Sequence, residues 1–491
     1  MIRSVTTCAL GMLLFAAVAG AQQWQYVDSM ATPRRMHTAT LIDGARVLVA
    51  GGTNERHRAV ASCELFEIAT LRWSSGPSMS IPRERHTATT LADGRVVVIG
   101  GNTQDNQSNR VTASVEIFDP TSSAWSDGGS LLTGRQNHTA TLLPDGTILV
   151  TGGFNEARGD VFLASSEIYD PLTGRSRSAA PLPQKRMDHQ ALLLHDGRVL
   201  VAGGRIGGWD GDYLSRADIY DPSRDEWSTI DPMAQSRITG FTMARFSDST
   251  VLVAGGRNAP TSSASSAEML DTRYSQWQVI DTMRLPVTWQ AGAMLAHDRY
   301  LVTGGFVDAI WHSPDSVDAT GTCEWYDKAA RTWLFAPRLN QVRAEHTIMA
   351  FKRRRGDSFE ELVMVMGGIT GNESITRTCE ILKVDEESMA SYALGQLPSG
   401  GIDGGGDGGT RIRVTGNGGG VPALLIMTRA PEMIHVELLG ADGRVVRTLI
   451  DRWLEPGMLR LPVPGELANG AYIVRARGTA GETVAKLVVR R

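Results

Sequence analysis

The stretch 47–52 reads Val-Leu-Val-Ala-Gly-Gly, a hydrophobic run that ends in a glycine pair. Glycine pairs of this kind return about every 50 residues along a chain of 491 residues. The seven pairs are Gly51-Gly52, Gly100-Gly101, Gly152-Gly153, Gly203-Gly204, Gly255-Gly256, Gly304-Gly305 and Gly367-Gly368. A period of this length with short strands indicates a β-propeller or a solenoid rather than one ordinary core.

Two spacings inside the repeat are constant and one is variable. Four histidines stand 14 residues before the first glycine of their pair, namely His37, His86, His138 and His189. Five acids stand nine residues before a tryptophan, namely Glu64, Glu116, Asp218, Glu268 and Glu324 before Trp73, Trp125, Trp227, Trp277 and Trp333. The distance from the first glycine to the following acid varies instead from 13 to 20 residues. Constant spacings indicate structural turns, whereas the variable segment marks loops that are free to carry function.

Each repeat contains four segments with strand character, which in the second repeat are 86–91, 95–100, 115–119 and one that starts near Trp125. Asp93-Gly94 separates the first two, and Asp-Gly supplies the positive φ that a two-residue hairpin turn requires. Asp119-Pro120 forms a second turn signal between the last two. Four antiparallel strands per repeat predict one propeller blade.

The glycine pairs need a physical reason, because glycine in a strand costs roughly 0.5 to 1 kcal/mol relative to alanine. We expect that the second strand lacks side chains at these points so that an aromatic group from a neighbouring strand or blade can lie against the backbone.

The combined pattern resembles the kelch repeat, which has a hydrophobic run, a glycine pair, Tyr or Phe in the third strand and Trp in the fourth. The aromatic residues of the third strand are Phe118, Tyr169, Tyr220 and Tyr326. The resemblance covers roughly residues 24–398 and implies an all-β, seven-bladed propeller. Departures are Ser176 and Met389 at Trp positions, and Phe241 and Gln290 at His positions.

The start of the repeats predicts how the ring closes. Trp24 lies 13 residues before His37, as Trp73 does before His86, so it has the spacing of a fourth-strand tryptophan without a blade of its own. We predict that this segment completes the seventh blade, with residues near Met389 as the alternative.

The N-terminus has the pattern of a secretory signal over residues 1–21: Arg3, an apolar run from Ala9 to Val18, and Ala19-Gly20-Ala21. The apolar run is short for a membrane anchor, and no later apolar stretch is long enough to predict a span. The net charge of −4, with both signs interspersed, does not favour a nucleic-acid partner.

The composition changes after the propeller, which we place at 22–398. Residues 399–421 are rich in glycine and predict a flexible linker, and residues 422–491 predict a small β-sandwich. This last segment resembles the type A sorting domain of the type IX secretion system, with Gly470-Ala471-Tyr472 and a terminal strand from Lys486. The resemblance implies transport by that machinery, removal of the domain, and attachment to the cell surface or release. The usual Pro-Asn-Pro opening is absent, and a structural sandwich without a sorting role is the alternative.

Three cysteines remain once a signal is removed, and each precedes the acid of a third strand: Cys63, Cys323 and Cys379. Neighbouring packed sheets lie about 10 Å apart, which is too far for a comfortable disulfide. We expect buried free thiols, with a bridge between Cys63 and Cys379 as the alternative. No zinc-binding spacing is present.

Candidate ligand-binding residues lie in those variable loops that are richest in aromatic and polar residues, and we expect these loops on one face of the propeller. Aromatic rings beside polar or acidic groups suit a sugar, and the alternative is a loop that folds over its own aromatic residue. The candidates are Trp209, Asp210, Asp212, Tyr213, Trp311 and His312.

Histidines at equivalent positions in five repeats, His346 being the fifth, could form a ring that holds a metal or an anion. Each follows an arginine by three residues. Repetition favours a structural role, because a catalytic site needs one asymmetric constellation. We therefore assign no catalytic residue, metal or cofactor.

The sequence thus predicts a secreted or cell-surface, non-catalytic binding module for an extracellular protein or a glycan. The alternative is a carbohydrate-active kelch enzyme that resembles galactose oxidase, a copper enzyme, or sialic acid epimerase. A copper ligand set is not evident, since Tyr169, Tyr220 and Tyr326 belong to the repeat pattern.

Overall fold

Strands and turns make up the described part of the chain. The computed structural model describes residues 23–103, 110–156, 161–207, 211–238, 240–259, 262–307, 318–356, 358–371, 374–384, 411–415, 423–428, 432–440, 444–454, 457–462, 470–478 and 481–489. These residues divide into two compact units, one within 22–385 and the other in the C-terminal part after residue 386.

The first unit contains seven four-stranded antiparallel sheets, which we call blades one to seven. A first short strand, β1 (Gln25–Tyr26), precedes blade one. Blades one and two are β2 (Thr38–Ile42), β3 (Arg46–Ala50), β4 (Cys63–Glu67), β5 (Arg72–Ser75), β6 (Thr87–Thr90), β7 (Val96–Ile99), β8 (Ser114–Asp119) and β9 (Ala124–Ser130). In both blades the strands pair in chain order, as the sequence predicts.

Blades three to six each carry an additional two-stranded hairpin between their second and third strands. Blade three is β10 (Thr139–Leu142), β11 (Ile148–Thr151), β14 (Ser166–Asp170) and β15 (Arg175–Ala179), with hairpin β12 (Phe154–Asn155) and β13 (Val161–Phe162). Blade four is β16 (Gln190–Leu193), β17 (Val199–Ala202), β20 (Ala217–Asp221) and β21 (Glu226–Ile230), with hairpin β18 (Arg205–Ile206) and β19 (Asp212–Tyr213). Blade five is β22 (Thr242–Arg245), β23 (Thr250–Ala254), β26 (Ala267–Asp271) and β27 (Gln276–Val279), with hairpin β24 (Arg257–Ala259) and β25 (Ser262–Ser263). Blade six is β28 (Ala291–Leu295), β29 (Arg299–Thr303), β32 (Cys323–Asp327) and β33 (Thr332–Ala336), with hairpin β30 (Phe306–Val307) and β31 (Asp318–Ala319).

The N-terminal strand closes the ring, which confirms the prediction made from Trp24. Blade seven contains β34 (Thr347–Arg355), β35 (Ser358–Met366) and β36 (Cys379–Val384), and its fourth strand is β1. Gln25 pairs with Ile381, and Tyr26 pairs with Glu380. The first strands of consecutive blades are neighbours all round, including β34 and β2. Met389, the alternative closing position, lies outside the described residues.

The hydrophobic core lies between successive blades rather than inside any one of them. Leu48 of blade one packs with Val96 and Phe118 of blade two in one buried cluster, and similar clusters join later blades. A second strand has neighbouring sheets on both of its faces. All four residues of β7 are therefore buried, and the strand reads as a continuous apolar run instead of an alternating one.

The glycine pairs follow the second strands rather than lying within them. At Gly51, φ is +63°, and an added Cβ would lie 2.5 Å from the Arg83 carbonyl oxygen and 2.7 Å from Cε1 of His86. The predicted close approach of an aromatic group is therefore confirmed, and that group is the imidazole of the next blade. The location inside a strand was wrong, since glycine is also required by the left-handed backbone.

The three cysteines of the first unit, Cys63, Cys323 and Cys379, are buried and free, as predicted. Burial raises the pKa of the Cys63 thiol to about 11.

The C-terminal unit contains two antiparallel sheets, with strand orders β37-β38-β41 and β40-β39-β42-β43. Its strands are β37 (Arg411–Thr415), β38 (Ala423–Thr428), β39 (Glu432–Leu439), β40 (Val445–Leu454), β41 (Gly457–Pro462), β42 (Gly470–Gly478) and β43 (Gly481–Val489). The predicted linker 399–421 was wrong over 411–415, which pair with β38. The surrounding glycines obscured the alternation of Arg and apolar residues in this strand. No described helix has the length and apolar character needed to cross a bilayer.

Candidate binding site

The arginines of the repeat are structural. Six of them are fully buried, each paired with the acid of a third strand, as in Arg34–Glu64, Arg83–Glu116, Arg135–Glu167, Arg186–Asp218, Arg237–Glu268 and Arg343–Glu380. Nη2 of Arg83 lies 2.7 Å from Oε1 of Glu116, and Nη1 donates to the Gly100 carbonyl at 2.9 Å. Glu116 also accepts the backbone N–H of Ser80 at 2.7 Å. The pair therefore fixes the segment that connects blades one and two.

The five histidines have a structural role as well. Nε2 of His86 lies 3.1 Å from the Thr38 hydroxyl of the preceding blade, and the other four imidazoles make comparable contacts with threonine. Burial, with a smaller effect of the Arg83 charge, lowers the pKa of His86 to about 3, so the ring is neutral. Among the described residues, no three His, Cys, Asp or Glu side chains come together in a group that could hold a metal ion.

Two of the six predicted ligand-binding residues are described. Asp212 is exposed and Tyr213 is half-buried on β19, where Tyr213 pairs with Arg205 and Asp212 pairs with Ile206. The other four candidates, Trp209, Asp210, Trp311 and His312, lie outside the described residues. The structure thus places one predicted loop beside Arg205. The Arg205 side chain pairs with Asp188, which lies near the centre of this face.

At that centre, one residue of each blade adopts a left-handed backbone directly before the histidine position. We call these seven residues the axial ring, because each precedes an innermost strand: Met36, Arg85, Asn137, Asp188, Gly240, Trp289 and Glu345. Their φ angles lie between 51° and 70°. Such angles are uncommon outside glycine, and their recurrence in all seven blades makes them a feature of the fold.

Backbone hydrogen bonds join neighbouring members of the axial ring. The amide of Arg85 donates to the Met36 carbonyl at 3.3 Å, and the amide of Asn137 donates to the Arg85 carbonyl at the same distance. The Glu345 amide likewise donates to the Trp289 carbonyl at 3.0 Å. Together with the bond from the Asp188 amide to the Asn137 carbonyl, these contacts join the ring in two stretches, from Met36 to Asp188 and from Trp289 to Glu345.

Charged side chains surround the axial ring and pair with one another. Nη1 of Arg35 lies 2.8 Å from Oε2 of Glu345, and Nε of Arg205 lies 2.8 Å from Oδ2 of Asp188. Glu84 is buried near Arg35, and burial raises the pKa of its carboxyl, while the charges of neighbouring arginines act in the opposite direction.

Several buried polar atoms beside these pairs have no hydrogen-bond partner among the described residues. Glu345 lies 7% exposed with its Oε1 unused, and Asn102 lies 4% exposed with its Oδ1 unused. Nε of Arg35 and the hydroxyl of Thr53 are also buried and unused. Asn102 pairs with Glu84, and Thr53 pairs with Arg35, through short backbone bridges. Buried polar atoms are nearly always hydrogen-bonded, so these four atoms have capacity that water or a ligand can use. Other unused atoms occur elsewhere in the propeller, among them Nδ1 of the five structural histidines.

The sequence analysis did not identify the axial ring. One signal for it is present in the sequence. The residue at the ring position differs in all seven repeats, whereas the residue directly after it is histidine in five of them.

Family comparisons agree with the repeat pattern. The KLHDC2/KLHL20/DRC7 Kelch-repeats domain matches residues 15–204, and the Kelch motif matches residues 189–234. Kelch-like protein 26 of Danio rerio is 27% identical over 226 residues, which are 45% of this chain and 35% of that protein. Spermatocyte protein spe-26 of Caenorhabditis elegans is 31% identical over 37% of this chain and 31% of that protein. The chain thus spans about a third of the length of these curated relatives.

A solved structure shares the fold. It is described as a novel fungal alcohol oxidase of the AA5 family in complex with copper, and it aligns with a TM-score of 0.59 at 14% identity. The alignment covers 96% of this chain and 100% of the oxidase. At this identity the likeness concerns the fold alone.

Proposed function

Because the chain is a kelch-repeat protein, we propose that it is a non-catalytic binding module that holds an extracellular protein or glycan at the axial ring. The observation that carries this proposal is the asymmetry of the ring. Seven equivalent backbone positions present seven different residues, whereas the structural arginine and histidine positions change little from blade to blade.

Residues that the fold requires recur at the same position in every repeat. A residue that differs in every copy of an otherwise fixed motif is not required by the motif, so it is free to serve recognition. The buried, unused polar atoms beside the ring supply the hydrogen-bonding capacity that recognition requires.

Site-specific photo-crosslinking tests the proposal even while the ligand is unidentified. Asn137, a half-buried ring residue, is replaced by p-benzoylphenylalanine, and the intact protein is irradiated among the cells that produce it. The control carries the same group at Leu172, which lies 85% exposed in the turn between the third and fourth strands, on the opposite face. We expect a defined adduct from the ring position alone. Identical adducts from both positions, or none from either, would contradict the proposal.

We further propose that the protein is exported and reaches a bacterial cell surface or the medium. The signal pattern over residues 1–21 and the likeness of the C-terminal segment to type IX sorting domains support this. Expression in a bacterium with the type IX machinery should give extracellular protein whose N-terminus is Gln22. Retention inside the cell, or equal export after deletion of residues 422–491, would argue against the sorting role.

A further inference from the structure

The charges at the axial ring are balanced within the protein. Arg35 pairs with Glu345, and Arg205 pairs with Asp188, both at 2.8 Å, and Nε of the ring member Arg85 lies 3.9 Å from Oε1 of the buried Glu84. A ligand of high charge would have to compete with these existing pairs, and breaking a buried pair is costly because one charge is left uncompensated. The ring is therefore matched to an uncharged ligand.

The unused atoms include both hydrogen-bond acceptors and donors. Oε1 of Glu345 and Oδ1 of Asn102 accept hydrogen bonds, Nε of Arg35 donates one, and the Thr53 hydroxyl can do either. A ligand with several hydroxyl groups satisfies all of these atoms, since each hydroxyl both donates and accepts.

An aromatic residue stands next to this polar sector. Trp289 is half-buried and directly precedes Glu345 around the ring, to which its carbonyl is hydrogen-bonded. Its side chain packs against a small apolar cluster that contains Phe306, Ala344 and Ile369. This part of the face thus combines an indole with the carboxylate of Glu345 and the nearby amide of Asn102 and guanidinium of Arg35.

From this juxtaposition we propose that the axial ring binds an uncharged saccharide, with the apolar C–H face of one sugar unit on Trp289 and its hydroxyls on Glu345, Arg35 and Asn102. This assignment rests on the proposed function and specifies its ligand. A peptide segment of a partner protein is the competing occupant, and the experiment below separates the two.

Saturation-transfer NMR on the full chain tests the assignment. The probes are the methyl glycosides of the common neutral hexoses, pentoses and N-acetylhexosamines, together with neutral oligosaccharides built from them. Two variants remove different parts of the site: Trp289→Leu removes the aromatic face, and Glu345→Gln removes the carboxylate and retains its shape. Tyr274→Leu is the control, because Tyr274 is an aromatic residue that is 69% exposed in an outer turn of blade five.

We expect saturation transfer to at least one saccharide, about tenfold weaker affinity in each ring variant, and unchanged affinity in the control. Thermal melting checks that each variant is folded, and the Glu345→Gln result stands alone if the Trp289 variant is not. Absence of transfer to every probe would overturn the assignment, as would binding that survives both ring substitutions. A protein adduct at Asn137 without any saccharide binding would reject the saccharide and leave the binding function, whereas failure of both experiments would reject both.

Discussion

Glu324 is the acid of blade six, and it lacks the arginine that its six counterparts have. Val287 occupies the arginine position. Among the described residues, the carboxyl accepts hydrogen bonds from two backbone N–H groups, those of Arg284 at 2.7 Å and Leu285 at 3.0 Å. Burial raises the pKa of Glu324 from 4.5 to about 7, while the two amide hydrogen bonds and the Arg284 charge act downward and the Asp281 charge acts upward. We predict that this carboxyl makes the stability of the propeller depend on pH.

The size and sign follow from linkage between proton binding and folding. Between pH 4.5 and 7 the folded state retains a proton that the unfolded state has lost, so stability falls as the pH rises through this window. A shift of this size corresponds to about 3 kcal/mol, because one pKa unit is worth about 1.4 kcal/mol. Above pH 7 the loss is complete and the dependence levels off.

The measurement compares the wild type with Glu324→Gln by urea unfolding, followed by tryptophan fluorescence, between pH 4.5 and about pH 8. Other titrating groups cancel in the difference, so the variant should gain about 3 kcal/mol relative to the wild type across this range. Glu116→Gln is the matched control. It leaves Arg83 buried without its carboxylate, and we expect a loss of about 3 kcal/mol at every pH tested. A flat difference for Glu324→Gln would refute the reasoning.

Two further predictions concern the seam and the glycine pairs. Trp24→Ala should lower the free energy of unfolding by about 3 to 5 kcal/mol, since the indole is only 3% exposed. Tyr26→Ala on the same segment should change it by less than about 1 kcal/mol, because Tyr26 is 56% exposed. Equal losses would mean that burial of the indole does not stabilise the pairing of β1 with blade seven. Gly100→Ala should lower the melting temperature more than Gly146→Ala. Both glycines have positive φ, but only at Gly100 would the new Cβ lie 2.5 Å from a backbone oxygen, that of Arg135. Equal shifts in melting temperature would show that the positive φ alone determines the cost.

The scaffold could be predicted from the sequence because the same spacings of glycine, histidine, acid and tryptophan recur along the chain, so each one supports the others. The spacing from Trp24 to His37 predicted the closing strand correctly, since strand pairing follows the same register in every blade. The placement of the glycine pairs could not be predicted as well. Close approach and a left-handed backbone both select glycine, and the sequence does not distinguish the two causes.

The binding site was harder to predict for a related reason. Long loops and loops rich in aromatic residues are the visible signals in the sequence, and of the candidates they indicate, Asp212 and Tyr213 lie on β19 rather than in the axial ring. The axial ring lies in a segment of nearly constant length, where neither length nor composition draws attention to it. Its backbone geometry, which sets Trp289 of blade six beside Glu345 of blade seven, appears only when consecutive blades pack side by side.

Blade six combines several departures from the repeat beside the proposed site. Within four consecutive residues, Val287 replaces the buried arginine, Gln290 replaces the histidine, and Trp289 of the axial ring stands between them. In the same blade Glu324 lacks an arginine partner, and the distance from the first glycine of the pair to the acid is the longest, 20 residues. Natural proteins tend to break local folding rules at functional sites and to keep them elsewhere. The loss of two structural side chains beside the only aromatic member of the ring is therefore expected if Trp289 was placed for recognition rather than for folding.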